Sequence, residues 1–93
     1  MRVYNSCMIN KTVILSEHAV EQLRYRGATR EEIIEAINTC PWSPAELGRL
    51  ECRKDFPFNR TWNNKFYKTK QVRPIFIDEV TGVIVVTVYV YFF

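Results

Sequence analysis

Apolar residues in the first half of the chain recur at helical spacing in two short segments that meet at a glycine. The first segment begins at Ser16, a residue type that caps helix N-termini, and ends at Gly27, which terminates helices in the left-handed conformation. Its apolar stripe consists of Ala19, Val20 and Leu23. Its polar stripe consists of His18, Gln22 and Tyr25. This pattern predicts a short helix with one buried side and one polar side.

The second segment starts at Thr29 and predicts a second helix. Thr29 and Glu32 have the spacing of a capping box, in which each side chain accepts a backbone N–H of the other residue. The apolar face of this helix consists of Ile33, Ile34, Ala36 and Ile37. Pro41 disfavours helical geometry at Cys40, so we expect the helix to end there. The first half therefore predicts two helices joined by a tight turn.

From residue 47 onward, β-favouring residues replace the helical period. We expect strands at residues 50–54, 65–70, 71–77 and 83–92, a loop at 56–59, a turn at 62–65 and a hairpin loop at 78–82. Pro74 places its strand at an edge or at a bulge. In the last strand the aliphatic even positions are expected to face the core: Ile84, Val86, Val88 and Val90.

The order of these elements predicts an α+β domain. A short strand at residues 11–15 leads into the first helix, and residues 1–10 form either a flexible arm or an edge strand. Helices followed by a run of strands favour two helices packed on one face of a three- to four-stranded, mainly antiparallel sheet. The length of 93 residues allows a single domain, residues 1–93.

Composition and charge narrow the classes of function only slightly. An apolar fraction of 47% is that of an ordinary soluble protein, and no apolar run reaches the roughly 20 residues of a membrane helix. No apolar signal-peptide core follows Met1, so we expect a cytoplasmic protein. The net charge of +3 is compatible with a polyanionic partner such as RNA without requiring one.

The cysteines argue against a disulfide framework and favour a reducing compartment. Cys7, Cys40 and Cys52 are odd in number and widely spaced. Together with His18 they have the number of ligands that zinc requires, but zinc sites usually contain ligand pairs at short spacing. Buried or surface thiols are the more frequent interpretation. The sequence therefore predicts no metal site and no cofactor.

Three groups of residues are candidates for chemistry. His18 is the only side chain whose ordinary pKa, near 6.5, suits proton transfer at neutral pH, although a lone histidine is more often a surface residue or a hydrogen-bond donor. A basic set interleaved with aromatic residues has the composition of a single-stranded nucleic-acid surface or of a solvated strand face. This set contains Lys65, Tyr67, Lys68, Lys70 and Arg73, with Arg24 and Arg26 from the first helix.

The third group is a pair of hydroxyl-bearing residues, Thr87 and Tyr89, on one face of the last strand. Their hydroxyl groups are suited to orienting a phosphate, but both residue types also favour strands for purely structural reasons. The sequence contains no glycine-rich nucleotide-binding loop and no arrangement of serine, histidine and aspartate typical of a hydrolase.

One combination of residues extends over nearly the whole chain, from residue 13 to residue 92. It comprises the Ser-x-His-Ala segment at 16–19, Leu23, the Arg26-Gly27 pair, the helix that starts at Thr29, and the Val-Val-Thr-Val-Tyr segment at 85–89. This combination resembles the domain-of-unknown-function family numbered four-two-five-eight, which is similar to RelE/ParE-like toxins. Residues 53–59 and 70–74 resemble a subgroup of that family.

The resemblance implies a RelE-like α+β fold with a curved antiparallel sheet, and a toxin-type endoribonuclease that needs no metal. The RNA 2′-hydroxyl attacks the adjacent phosphate in such a reaction, so the site needs a proton acceptor, a proton donor and cations. The implied roles are an acid or base, phosphate ligands and an orienting hydroxyl, supplied by His18, by Arg26 with Lys68 or Arg73, and by Thr87 or Tyr89. An antitoxin-like protein is the implied partner.

Two positions depart from the family pattern, and two other functions stay open. The family often has arginine where this chain has Gln22, which removes a phosphate ligand, and an aliphatic residue where this chain has Ala28. One alternative is a non-catalytic RNA- or protein-binding module of the same fold. The other is a small interaction protein that recruits its partner by strand addition at an exposed sheet edge.

Overall fold

The computed structural model describes residues 12–93, and the arm or edge strand expected at residues 1–10 lies outside them. The described chain contains two α-helices, six strands and one turn of 3-10 helix. In chain order these are β1 (Thr12–Leu15), α1 (Glu17–Arg26), α2 (Arg30–Thr39), β2 (Ser43–Pro44), the 3-10 turn (Glu46–Gly48), β3 (Leu50–Glu51), β4 (Lys54–Trp62), β5 (Lys65–Asp78) and β6 (Gly82–Phe92). None of the helices in this part of the chain is long and apolar enough to span a membrane.

The predicted helix boundaries are confirmed, because the capping side chains make the expected bonds. The Ser16 hydroxyl accepts the Ala19 N–H at 3.1 Å. Gly27 is left-handed, with φ 77°, and its N–H bonds the Leu23 carbonyl. Both bonds of the capping box are present: the Glu32 N–H donates to the Thr29 hydroxyl oxygen at 3.1 Å, and the Thr29 N–H donates to the Glu32 carboxylate at 2.9 Å. These caps satisfy backbone groups that a helix end otherwise leaves without partners.

The sheet differs from the prediction in size and in strand direction. It has six strands in the order β1-β6-β5-β3-β2, with β4 paired to β5 beside this path, and β1 runs parallel to β6. The expected number of three to four strands is therefore wrong, and β1 makes the sheet mixed, while the other four pairings are antiparallel. Strands β2 and β3 each have two residues, too few to produce a readable alternation.

The hairpin of β4 and β5 also corrects the prediction. Residues 56–59 were expected to form a loop but lie within β4, where the register shifts between Pro57 and Arg60. The bulge accommodates Asn59 at φ 49°, and the predicted turn is confirmed at Asn63 and Asn64, with φ 51° and 68°. The two strands expected at 65–70 and 71–77 are one continuous strand, β5.

Pro74 lies inside β5, which is paired on both sides. Thr69 and Phe93 exchange both backbone hydrogen bonds, at 2.8 and 3.0 Å. Because bonded and non-bonded pairs alternate in an antiparallel ladder, the Pro74 nitrogen points away from β6. On that side, β3 pairs with residues 75–76 and β4 with residues 65–72, so Pro74 faces the gap between them. The strand of Pro74 is therefore not an edge strand, and the bulge at the next step of the ladder has its extra residue, Val86, on β6 and not on β5.

That bulge reverses the faces of β6. Ile75 pairs with Thr87 and Phe76 pairs with Val85, so Val86 has no partner. The buried residues are Val83 and Val85 before the bulge and Val88 after it. The even positions face the core as predicted only beyond Val86, and the prediction is wrong for Ile84. A single extra residue exchanges the two faces of a strand.

The helices and one face of the sheet enclose a single core. Its largest fully buried members are Phe76, Ile33, Ile37, Val72, Val83, Val85 and Val88. The Trp42 ring packs edge-on against the Phe76 ring, with their centroids 4.9 Å apart, and the indole N–H donates to the Ile37 carbonyl. Of the stripe predicted on α1, Ala19 and Leu23 pack on this core, whereas Val20 is exposed.

The other side of the sheet, which presents Glu51, Arg73, Ile75, Thr87 and Tyr89, is called the open face below.

Candidate nucleic-acid interface

Helix α1 supplies side chains to the outer edge of β6. Strand β1 pairs with β6 only as far as Val85, and no other described strand covers that edge. The Gln22 side-chain oxygen accepts the Val88 N–H at 2.8 Å and the Thr87 hydroxyl at 2.9 Å. Arg26 donates to the Val88 carbonyl at 3.0 Å. Gln22 therefore fixes β6 and Thr87, and Arg26 is carried around the edge onto the open face.

Two guanidinium groups lie against one tyrosine on this face. The Arg26 Cζ atom is 5.0 Å from the centroid of the Tyr89 ring. The Arg73 Cζ atom is 5.4 Å from the same centroid. Cations within about 6 Å of an aromatic ring are attracted to its π-electrons. The ring therefore lies within cation–π distance of two positive charges, and it is 38% exposed.

Arg73 is also held by a carboxylate. Its guanidinium donates to Glu51 at 2.7 Å and to the Tyr91 hydroxyl at 3.1 Å. The hydrogen bond from Arg73 lowers the pKa of Glu51, against the opposing effect of burial. The hydrogen bond to Glu51 in turn raises the pKa of Arg73. Both groups are therefore charged at neutral pH, and Arg73 has a fixed orientation.

A cavity of about 680 Å³ opens over these groups. Strand residues form its floor, and the loop that contains the 3-10 turn forms one wall. Its lining consists of Pro44, Ala45, Glu46, Leu47, Arg49, Glu51, Arg73, Ile75, Thr87 and Tyr89. Arg49 adds a further cation. The cavity thus combines two arginine side chains, the two carboxylates of Glu46 and Glu51, a phenol and a hydroxyl.

The structure brings together only part of the predicted site. Arg73, Thr87 and Tyr89 line the cavity on the open face, and Arg26, which does not line it, reaches the Tyr89 ring from the edge of β6. His18 is exposed on α1 and lines neither of the described cavities, and its side chain makes no hydrogen bond or ion pair with any residue in 12–93. The remaining predicted binding residues, Arg24, Lys68 and Lys70, do not line these cavities either.

Lys70 has a different environment from the one expected of a substrate-binding residue. Its side chain is 4% exposed, and its ammonium group lies 2.8 Å from a Glu32 carboxylate oxygen. It also donates to the Gly27 carbonyl at 2.9 Å. Lys70 therefore connects β5 to the turn between the helices. Arg24 and Lys68, in contrast, are exposed.

Three residues of this interface are not among those that the sequence predicts. Glu51 lies on a two-residue strand, where no alternation distinguishes its face from that of Leu50. Arg49 lies in the irregular wall of the cavity. Gln22 was regarded as a lost phosphate ligand, although its amide is buried against β6. Its position in the stripe with His18 was visible, but its burial depends on the edge of β6 and not on helical spacing.

The described residues contain no group of three or more histidine, cysteine, aspartate or glutamate side chains that could hold a metal. Cys40 and Cys52 are free thiols, whereas Cys7 lies outside the described residues. Burial raises the pKa of Cys52 to about 12, so its thiol stays protonated at neutral pH. The zinc arrangement considered from the sequence thus has no counterpart within residues 12–93.

The Glu51–Arg73 ion pair predicts a specific dependence of stability on pH. The folded-state pKa of Glu51 lies below its ordinary value of 4.5, so its charge stabilises the fold above that pH. This stabilisation is lost as the pH falls from 4.5 through the lower folded-state pKa. We expect Glu51→Gln to be less stable than wild type near pH 7 in urea unfolding, and the difference to shrink near pH 3. A difference that stays constant with pH would contradict this assignment.

Comparisons of the chain with protein-family models, with curated proteins and with solved structures find no match. The geometry of the open face is therefore the basis for assigning a function.

Proposed function

We propose that the open face binds RNA, with backbone phosphate held by Arg26 and Arg73 beside Tyr89. The observation that carries this proposal is the approach of both guanidinium groups to one ring, at 5.0 and 5.4 Å. Guanidinium groups bind phosphate oxygens through paired hydrogen bonds. An incoming phosphate would compete with Glu51 for Arg73 and would also neutralise the charge of Arg26.

Several features favour a nucleic acid over a small free anion. The cavity is open and lies on the surface of a sheet, whereas small-molecule sites enclose most of their ligand. The cations lie beside an exposed aromatic ring, and single-stranded nucleic acids bind to cations and aromatic rings in combination. Arg49 adds a cation to the cavity wall, and Glu46 in the same wall offsets its charge.

The proposal includes cleavage of the bound RNA without a metal ion. Attack of a 2′-hydroxyl on the adjacent phosphate gives a cyclic phosphate and releases a 5′-hydroxyl. Glu51 would accept the proton of the 2′-hydroxyl once the phosphate has taken Arg73, and the Tyr89 hydroxyl would donate a proton to the leaving oxygen. The two arginines would stabilise the charge that develops on the phosphate. His18 has no part in this scheme.

A non-catalytic RNA-binding protein is the second candidate. It is favoured by the pairing of the polar groups within the chain, since Glu51 is bonded to Arg73 and Thr87 to Gln22. Such an arrangement binds phosphate without supplying a free base. Under either candidate, a cytoplasmic location and an antitoxin-like protein that covers the open face are parts of the proposal.

The test measures binding and cleavage of single-stranded RNA in a buffer that contains a metal chelator. We expect Arg26→Ala and Arg73→Ala each to weaken binding about tenfold, since a hydrogen bond to a charged group contributes roughly 1.5–3 kcal/mol. The matched control is Arg30→Ala, an exposed arginine of α2, which should bind as wild type does. Circular dichroism checks that Arg73→Ala, which leaves Glu51 without its main partner, still folds.

Cleavage separates the two candidates. An endoribonuclease would lose activity in Tyr89→Phe and Glu51→Gln and keep it in His18→Ala. Binding without cleavage by the wild type would establish the non-catalytic module. Equal RNA binding by wild type, Arg26→Ala and Arg73→Ala would refute the interface altogether.

A further inference from the structure

The open face carries a row of exposed aromatic rings that leads away from the cavity. Tyr89, Tyr91 and Phe93 are 38%, 42% and 58% exposed. They occupy alternate positions of one extended segment, so their side chains point to the same face of the sheet. The backbone rise gives successive rings a separation of about 6.6 Å. This set is called the aromatic row.

The aromatic row has a polar border on the neighbouring strand. Tyr89 pairs with Arg73 and Tyr91 pairs with Gln71 in the ladder of β5 and β6. Phe93 continues this ladder through its two backbone bonds to Thr69. The Tyr91 hydroxyl accepts a bond from Arg73, which fixes the position of its ring. The row is therefore a fixed, ordered surface of exposed rings and not a set of scattered apolar residues.

The row is positive at its Tyr89 end. Arg26 and Arg73 lie there, close to the Tyr89 ring. A polymer of aromatic bases joined by negative phosphates is complementary to a row of rings that begins at two cations.

We infer that the aromatic row binds single-stranded RNA, with successive bases stacked on Tyr91 and Phe93 when a phosphate lies at Arg26 and Arg73. This inference rests on the proposed function and restricts its substrate to unpaired RNA. In a duplex each base is already stacked and paired, so its ring faces are closed to the protein. The row thus distinguishes unpaired from paired RNA without reading the base sequence.

The test uses a fluorescent 2′-O-methyl RNA of about 10 nucleotides, a length within the range of single-strand sites, and the same strand in a duplex. The 2′-O-methyl group prevents cleavage, so anisotropy reports binding alone. We expect wild type to prefer the single strand. Tyr91→Ala and Phe93→Ala should each weaken single-strand binding about tenfold, because loss of one stacked base costs roughly that factor.

Two variants serve as matched controls. Tyr91→Phe keeps the ring and removes only the hydroxyl that Arg73 contacts, so it should retain most of the affinity. Tyr25→Ala removes a 73% exposed tyrosine of α1 outside the row and should bind as wild type does. Thermal unfolding checks that each variant is folded. Because the rings are exposed, their removal should leave the unfolding temperature nearly unchanged.

The outcomes distinguish this inference from the proposed function. If Arg26→Ala weakens binding while Tyr91→Ala and Phe93→Ala do not, the phosphate site stands and the aromatic row has no part in binding. If wild type binds neither single strand nor duplex, the proposed function itself is wrong. If Phe93→Ala abolishes a dimer seen by sedimentation but leaves RNA affinity unchanged, the row is a self-association surface and the inference is overturned.

Discussion

Glu32→Gln is expected to destabilise the protein by about 3 kcal/mol, near the lower end of the cost of breaking a buried ion pair. The substitution leaves the Lys70 ammonium, whose side chain is 4% exposed, with only uncharged partners, the Gly27 carbonyl and the Phe58 ring 5.5 Å away. Glutamine retains an oxygen that can accept the Thr29 N–H, so the capping box is preserved. Urea unfolding of both proteins measures the difference in free energy of unfolding.

Lys70→Met tests whether the buried charge is the cause. It leaves the Glu32 carboxylate without its lysine, but that side chain is 21% exposed and can be hydrated. We expect a cost of about 1 kcal/mol, within the range for partly exposed pairs. The double variant Glu32→Gln/Lys70→Met should have the same free energy of unfolding as Lys70→Met, because no buried charge is then left unpaired. Equal losses in the two single variants would contradict the asymmetry of burial.

Local signals in the sequence were sufficient for the helices. Ser16, Thr29 and Glu32 act through bonds that span only three residues, so their spacing determines their partners. The same holds for the turn at Asn63 and Asn64, whose positive φ values suit asparagine. Such features depend on nearby residues alone and are readable without knowledge of the sheet.

The sheet could not be predicted in the same way, because the wrong strand count and the wrong strand faces both depend on how the strands pair. The bulge at Val86 is determined by the register between β5 and β6, and it reverses the faces on either side. The parallel position of β1 depends on where the chain returns after the intervening helices and strands. Strand alternation shows that a segment is extended, but it does not show how many partners the segment has.

The candidate interface was predictable only where residue chemistry and local spacing coincided. Thr87 and Tyr89 were identified together because they alternate on one strand, and Arg26 and Arg73 because they are basic. The hydrogen bonds of Gln22 and Arg26 with β6 join residues more than 60 positions apart, so spacing gave no indication of them. His18 had the most suitable side-chain chemistry of the chain, but the structure places it outside the described cavities.

Gly27→Ala is expected to destabilise the protein by about 2–3 kcal/mol, from two separate causes. Gly27 has φ 77°, in the left-handed region that costs a residue with a β-carbon roughly 1–2 kcal/mol. In addition, a β-carbon at this position would lie 2.9 Å from the Trp62 indole, whose ring stacks on Phe92 with centroids 5.2 Å apart, so the indole or the helix end has to shift. Crowding of this kind adds about 1 kcal/mol or more.

Gly48→Ala separates the two causes because Gly48 has a similar φ of 72° but no atom within 4 Å of the added carbon. It should therefore show the backbone cost alone, roughly 1 kcal/mol. The excess loss in Gly27→Ala then measures the contact with Trp62. Trp62→Leu removes the indole, so adding Gly27→Ala to Trp62→Leu should cost only the backbone term. Urea unfolding of wild type, the three single variants and this double variant tests the expectation. An excess that persists without Trp62 would mean that the hairpin of β4 and β5 does not pack against the end of α1.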